Sequence, residues 1–206
     1  SRMSKANVIV IDCHKHVLGR VASVVAKSLL LGKRIVLVRC EDLEVCGTLK
    51  MRLVQWGLYL RKRVNTNPLR GAFHHRAPSD MVRKAVKGML PKNCYRGKLA
   101  LSHLKCFEGC PAPYDTMKKC SIPSAASIYS FNPTRKRTLL GFLGTKIGWK
   151  YADVVAKNEK IRKEKAAKWF EAKQVKAKAF KEARDKILAD KKYEARVAIL
   201  KQFGYA

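Results

Sequence analysis

Acidic residues are scarce in this chain. Asp and Glu number 15 against 45 Lys and Arg in 206 residues, for a net charge of +30 and a pI near 10.2. Before Trp149 the carboxylates are Asp12, Glu41, Asp42, Glu44, Asp80, Glu108 and Asp115, with no obvious pair for acid–base work. No Gly-x-Ser-x-Gly nucleophile elbow appears. Glycine-rich phosphate cradles are missing as well. The turn after the first strand-like run holds one glycine, Gly19, where a dinucleotide fingerprint needs three. Gly141, Gly144, Thr145 and Lys146 stand too close together, and in the wrong order, for a phosphate loop. No cofactor is expected, and an enzyme using Asp12 and Arg20 is the weakest reading. Asp12 is read as capping its turn or pairing with Arg20. No stretch approaches ~20 apolar residues, which argues against a membrane span. Ser1 to Asn7 runs directly into strand-like sequence without an apolar leader region, so a secretory signal is not expected.

Cysteine is present but not in metal-binding order. Cys13, Cys40, Cys46, Cys94, Cys106, Cys110 and Cys120 are an odd number, and no second close pair follows Cys106 and Cys110. His74 and His75 are adjacent, so in extended chain they face opposite ways. No metal is expected, and reduced thiols in a cytosolic or nuclear compartment are the reading.

What the chain does have is positive charge. Self-repulsion of that size calls for a partner of opposite sign, and nucleic acid is the obvious one, because each phosphate contact releases condensed counterions. The charge is concentrated in residues 61–98, where eleven Lys and Arg stand against one acid, Asp80. Pro68, Gly71, Pro78, Gly88, Pro91 and Gly97 interrupt this stretch, and Phe73 and Tyr95 sit among the charges. It reads as an extended arm to Pro78, a short helix over 80–90, and a return into the fold. In that helix Val82, Ala85, Val86, Met89 and Leu90 fall on one side and Arg83, Lys84 and Lys87 on the other, with Ser79 as N-cap.

The rest of the chain predicts an α/β core. Val8 to Ile11 and Ile35 to Val38 are β-branched runs of the buried parallel kind. Between them Leu18 to Leu31 has a helical stripe of Val21, Val24, Val25, Ser28 and Leu29, closed by Gly32. That is a βαβ unit. Leu43 to Cys46 predicts a short strand, Thr48 to Lys62 a helix, Tyr95 to His103 another, and Leu104 to Glu108 the last strand. Leu139 to Ile147 predicts a short helix. From Trp149 glycine is absent until Gly204 and proline is absent altogether, while Asp153/Lys157, Glu159/Lys163, Glu164/Lys168 and Glu182/Lys186 recur at helical i,i+4 spacing. One long helix or two is expected. Two parts follow: a core over 1–148 carrying the arm 61–98, and a helical extension over 149–206.

The candidate RNA-binding residues are Arg20, Arg61, Lys62, Arg63, Arg70, His74, His75, Arg76, Arg83, Lys84, Lys87, Lys92, Arg96, Lys98, Lys118, Lys119, Arg135, Lys136 and Arg137. Cations spread through loops and along a helix face suit irregular RNA, which is recognised by shape, phosphate and 2′-OH. No helix-turn-helix, finger or aromatic strand motif of a sequence-reading module is evident.

Several runs resemble one family. Val10-Ile11-Asp12 with Leu18-Gly19-Arg20-Val21-Ala22-Ser23, then Arg70-Gly71-Ala72-Phe73-His74-His75-Arg76-Ala77-Pro78-Ser79, and Val86-Lys87-Gly88-Met89-Leu90-Pro91 are similar to large-subunit ribosomal protein thirteen. Lys105 to Asp115 and Gly148 to Tyr151 look like its eukaryotic "thirteen-a" form. The likeness runs in order from about Asn7 to Val155. Ala72 and Ala112 stand where eukaryotic members favour Pro, and Cys13 where a small residue is usual. The resemblance implies a three-layer α/β/α core with a small parallel sheet and a structural place on large-subunit rRNA. It also implies neighbouring ribosomal proteins as partners, a cytoplasmic ribosome with nucleolar assembly, and no homo-oligomer. An extra-ribosomal RNA-binding regulator of translation is the alternative.

Overall fold

A computed structural model of the chain describes residues 8–189 and 193–204. The chain divides into two compact units, Ser1–Asn158 and Glu159–Ala206. In chain order the first unit contains β1 (Val8–Asp12), α1 (Leu18–Leu30), β2 (Arg34–Val38), β3 (Glu44–Cys46), α2 (Leu49–Leu60), α3 (Pro78–Met89) and α4 (Tyr95–Ser102). It continues through β4 (Leu104–Cys106), β5 (Lys119–Cys120), α5 (Ser127–Ser130), β6 (Arg137–Leu139) and α6 (Leu140–Ile147). Short 3-10 turns cover Cys40–Asp42 and Pro123–Ala125. The expected α/β fold with a small parallel sheet is present.

Four strands lie in the order β4-β2-β1-β5, and every neighbouring pair is parallel. β1 and β2 run in register from Val8 opposite Arg34 to Asp12 opposite Val38. Their side chains alternate between two cores. Ile9, Ile11, Ile35 and Leu37 join Val21, Val25 and Leu29 of α1 and the buried side of α3. Val8, Val10, Val36 and Val38 pack on the other side with Phe107, Cys110 and Tyr114. Because both faces are covered, these strands are apolar throughout rather than alternating with polar residues. β3 and β6 form a separate antiparallel ribbon, Glu44 opposite Leu139. Leu104–Cys106 is therefore not the last strand. The two later ones are two and three residues long, too short to show a period.

α1 ends as its sequence predicts. Gly32 takes φ +82°, its N–H donates to the Leu29 carbonyl, and Lys33 N–H donates to that of Ser28, a Schellman closure. Val24, spaced to join the apolar stripe, is exposed. α3 begins earlier than expected. Pro78 occupies its first turn and Ala77 the N-cap, so Ser79 lies inside the helix. The Ser79 N–H is instead taken by Glu108 Oε1 at 3.1 Å. Met81, Val82, Val86 and Leu90 are buried, each stabilising the fold by roughly 1.5–3 kcal/mol, while Met89 is 46% exposed.

Asp12 does not pair with Arg20. Its carboxylate accepts from Arg39 Nε at 2.9 Å and also from Arg39 Nη2, and it takes the His14 N–H at 3.1 Å. Burial pushes the Asp12 carboxyl up, but these hydrogen bonds and the Arg39 charge outweigh it and leave the group below its ordinary value. Arg20 reaches across to the Ser124 carbonyl, 3.1 Å away. His16 is buried in the same turn. Its Nδ1 donates to the His14 carbonyl at 2.6 Å and its Nε2 accepts the Ile122 N–H at 3.1 Å, which ties the end of β1 to the chain after β5.

In the second unit α7 (Ala152–Ala189), which begins in the first, is followed by α8 (Glu194–Gln202). Arg162 Nε donates to Glu159 Oε2 at 2.7 Å, one turn back along α7. Trp169, Phe170, Val175 and Phe180 are exposed.

A candidate nucleic-acid interface

The arm is held between two helices. α2 opens at Thr48, whose Oγ1 caps the Met51 N–H at 3.4 Å, and buries Leu49, Leu53 and Trp56 partly against the main core. It stops at Leu60, and the chain then runs without regular structure to Pro78, where α3 starts. The arm is pinned at both ends. His74 Nε2 pairs with the Lys62 carbonyl at 2.8 Å, closing residues 62–74 into a loop. The His74 ring meets Tyr59 edge-on at 4.6 Å, and the Tyr59 hydroxyl donates to the Phe73 carbonyl at 3.4 Å. At the far end Arg76 crosses α6. A Cβ at Gly144 would stand 3.3 Å from the Arg76 carbonyl, and one at Gly148 (φ +110°) 2.8 Å from Arg76 Nη1, so two glycines make room for this residue.

Charge segregates cleanly here. Arg61, Lys62, Arg63, Arg70, Arg76, Arg83, Lys84, Lys87, Lys92, Arg96 and Lys98 are all exposed, while the opposite side of α3 is core. Arg83, Lys84, Lys87 and Lys92 line one groove of about 890 Å³ together with Phe73 and His75. Lys84 is doubly engaged: its ammonium lies 2.8 Å from the Tyr59 ring centre and 5.2 Å from that of Trp56. Those two rings meet edge to face, 5.2 Å apart at 83°. His75 Nδ1 is 3.9 Å from the Asp80 carboxylate. Arg96 reaches the Leu30 carbonyl at 3.5 Å. Arg76 borders a second hollow of about 470 Å³, with Glu108, Trp149 and Lys150 around it.

The remaining candidates lie elsewhere. Lys118 is exposed beside β5, whereas the Lys119 ammonium is occupied by the Asp115 and Met117 carbonyls at 2.7 and 3.2 Å. Arg135, Lys136 and Arg137 are exposed at the β6 end of the ribbon, where Arg137 Nη1 bonds Glu44 Oε2 at 3.2 Å.

Sequence reading missed Trp56 and Tyr59 as part of this surface. Trp56 is spaced as a core residue, and only the tertiary fold brings the Lys84 side chain of α3 over its ring and that of Tyr59. It also missed Glu108, whose carboxylate holds the first turn of α3. Among the described residues no cluster of three or more His, Cys, Asp or Glu could hold a metal ion, and no helix is long and apolar enough to cross a membrane.

The chain is similar to known proteins over most of its length. The profile of the family described as "Ribosomal protein L13" matches residues 6–113. The protein named "Large ribosomal subunit protein uL13" from Dictyostelium discoideum is 48% identical over 168 residues, 82% of this chain and 90% of that protein. The protein of the same name from Spodoptera frugiperda is 41% identical over 197 residues, 96% of each chain.

Proposed function

This chain belongs to the ribosomal protein L13 family, and from that premise we propose that it is a non-catalytic constituent of the cytosolic large ribosomal subunit that binds and organises large-subunit rRNA. The observation that carries the reading is the exposure of all eleven Lys and Arg of 61–98, those of α3 lying on a helix whose opposite side is buried core. A phosphate backbone laid there meets cations from the arm, one face of α3 and the start of α4, at positions set by the fold. Arg20, Lys118, Lys119, Arg135, Lys136 and Arg137 add charge from the β5 and β6 sides, and His74 and His75 belong to the arm's close fit. The core over 1–148 does this work, with 149–206 as a helical extension. Neighbouring large-subunit proteins are the other partners, and assembly begins in the nucleolus.

The test is sedimentation. The protein should travel with large subunits through a sucrose gradient at high salt, and remaining at the top under every salt condition overturns the reading. With about eight phosphate contacts, binding to isolated rRNA fragments should fall with a log–log salt slope of roughly −6 to −7.

A further inference from the structure

Phe73 is 80% exposed, yet it sits in the most cationic part of the chain. A lone exposed ring needs no explanation on most surfaces. This one is held in place. Its carbonyl accepts from the Tyr59 hydroxyl, and the next residue, His74, is bonded to Lys62 and packed edge-on against Tyr59. The ring therefore projects from pinned backbone at the groove between α2 and α3. The wall behind it is aromatic, Trp56 and Tyr59, and the groove's basic residues outnumber its one acid, Asp80, by four to one. Its volume of about 890 Å³ falls in the range that small-molecule sites occupy, roughly 300–1,000 Å³.

A double helix cannot use this arrangement. Its bases are stacked inward and its backbone offers phosphate and sugar, which need the cations but not the ring. An extruded nucleotide uses both: its base has an exposed π-face to stack and its flanking phosphates need neutralising. We propose that the α2–α3 groove is a receptor for one unpaired RNA nucleotide, with the base stacked on Phe73 and the adjoining phosphates held by Arg83, Lys87 and Lys92. This rests on the rRNA-binding reading and names the kind of RNA element the groove takes. Lys84 keeps its ammonium against Tyr59 and so fixes the wall.

The test uses the full-length chain and two RNA hairpins, identical except that one carries a single bulged 2-aminopurine and the other is fully paired. Binding is titrated at matched salt. The bulged RNA should bind about tenfold more tightly, with its fluorescence quenched as the base stacks. Phe73→Ala should abolish that preference and the quenching, and Phe73→Trp should keep both. Equal affinity for the two hairpins, or an undiminished preference in Phe73→Ala, overturns the groove assignment while leaving rRNA binding intact. Failure of both hairpins to bind removes the rRNA reading and the groove with it.

Discussion

The ammonium of Lys84 lies 2.8 Å from the centre of the Tyr59 ring, joining α3 to α2 across the mouth of the basic groove. This lysine holds the surface together as well as charging it. Arg83 beside it is exposed, and no ring contact engages it among the described residues.

The two should separate on mutation. Arg83→Gln should reduce the salt slope of RNA binding by about 1 and leave stability within about 0.5 kcal/mol. Lys84→Gln should also weaken the slope but cost a further ~0.5–1 kcal/mol of stability, the worth of an exposed cation–π contact. Urea unfolding of both variants checks this. Equal stability of the two would mean that the ring contact contributes nothing.

Asp12 sets an acid limit on the fold. Burial raises its pKa, but hydrogen bonds from Arg39 and His14 and the Arg39 charge leave it below the ordinary 3.8. A depressed folded value means that the ion pair's contribution is complete above the unfolded value. It is lost as pH falls through the folded one. Asp12→Asn should therefore cost about 1–2 kcal/mol near neutrality and flatten the fall in melting temperature below about pH 4. A variant whose acid limb parallels the wild type would show that Asp12 does not govern it.

How legible the molecule is in its sequence depends on how local each feature is. β1, α1 and β2 announce themselves because period, β-branching and the αL glycine Gly32 all lie within one short segment. α3 shows its two faces for the same reason, although Ser79 looks like a cap until Pro78 is seen to enter the first turn. The partner of Asp12 was not legible. Arg20 is nearer in sequence, but Arg39, at φ +55°, is turned back toward β1 by the bend after β2. β5 and β6 were invisible because their pairing partners, Val10 and Ile11 for one and Glu44 to Cys46 for the other, lie roughly a hundred residues away. At the candidate site the cations could be read one by one. The Trp56–Tyr59–Lys84 contact could not, since it exists only where two helices meet.

Thiol reactivity should divide by depth. Cys94 and Cys120 are exposed, whereas Cys13 and Cys40 are fully buried. Hydrogen bonding with the Cys106 and Cys13 thiols, together with burial, pushes the Cys40 thiol well above its usual range, so little thiolate forms. At pH 8 a maleimide should label Cys94 and Cys120 in the native protein, and Cys13 and Cys40 only after denaturation. Peptide mapping by mass spectrometry reads the result. Rapid native labelling of Cys40 would mean that its neighbourhood opens.

The clearest stability test is a pair of identical substitutions with opposite outcomes. Gly97 lies in the first turn of α4, and a Cβ there would stand 1.9 Å from the Pro91 carbonyl oxygen and 2.8 Å from its carbon. Both are backbone atoms, so no side chain can swing aside. Gly97→Ala must push α4 away from the Leu90–Pro91 turn, at a cost of about 1–3 kcal/mol that the better helix propensity of alanine offsets only in part. Gly57 lies inside α2 with nothing within 4 Å of the same added atom. Gly57→Ala should therefore stabilise the protein, by up to about 1 kcal/mol. Because Lys92 and Arg96 flank the displaced turn, Gly97→Ala should also weaken RNA binding, and Gly57→Ala should not. Chemical denaturation and the salt-dependent binding assay, run on both variants, decide it. If Gly97→Ala proved as stable as wild type, the contact between Pro91 and α4 would be looser than the structure places it.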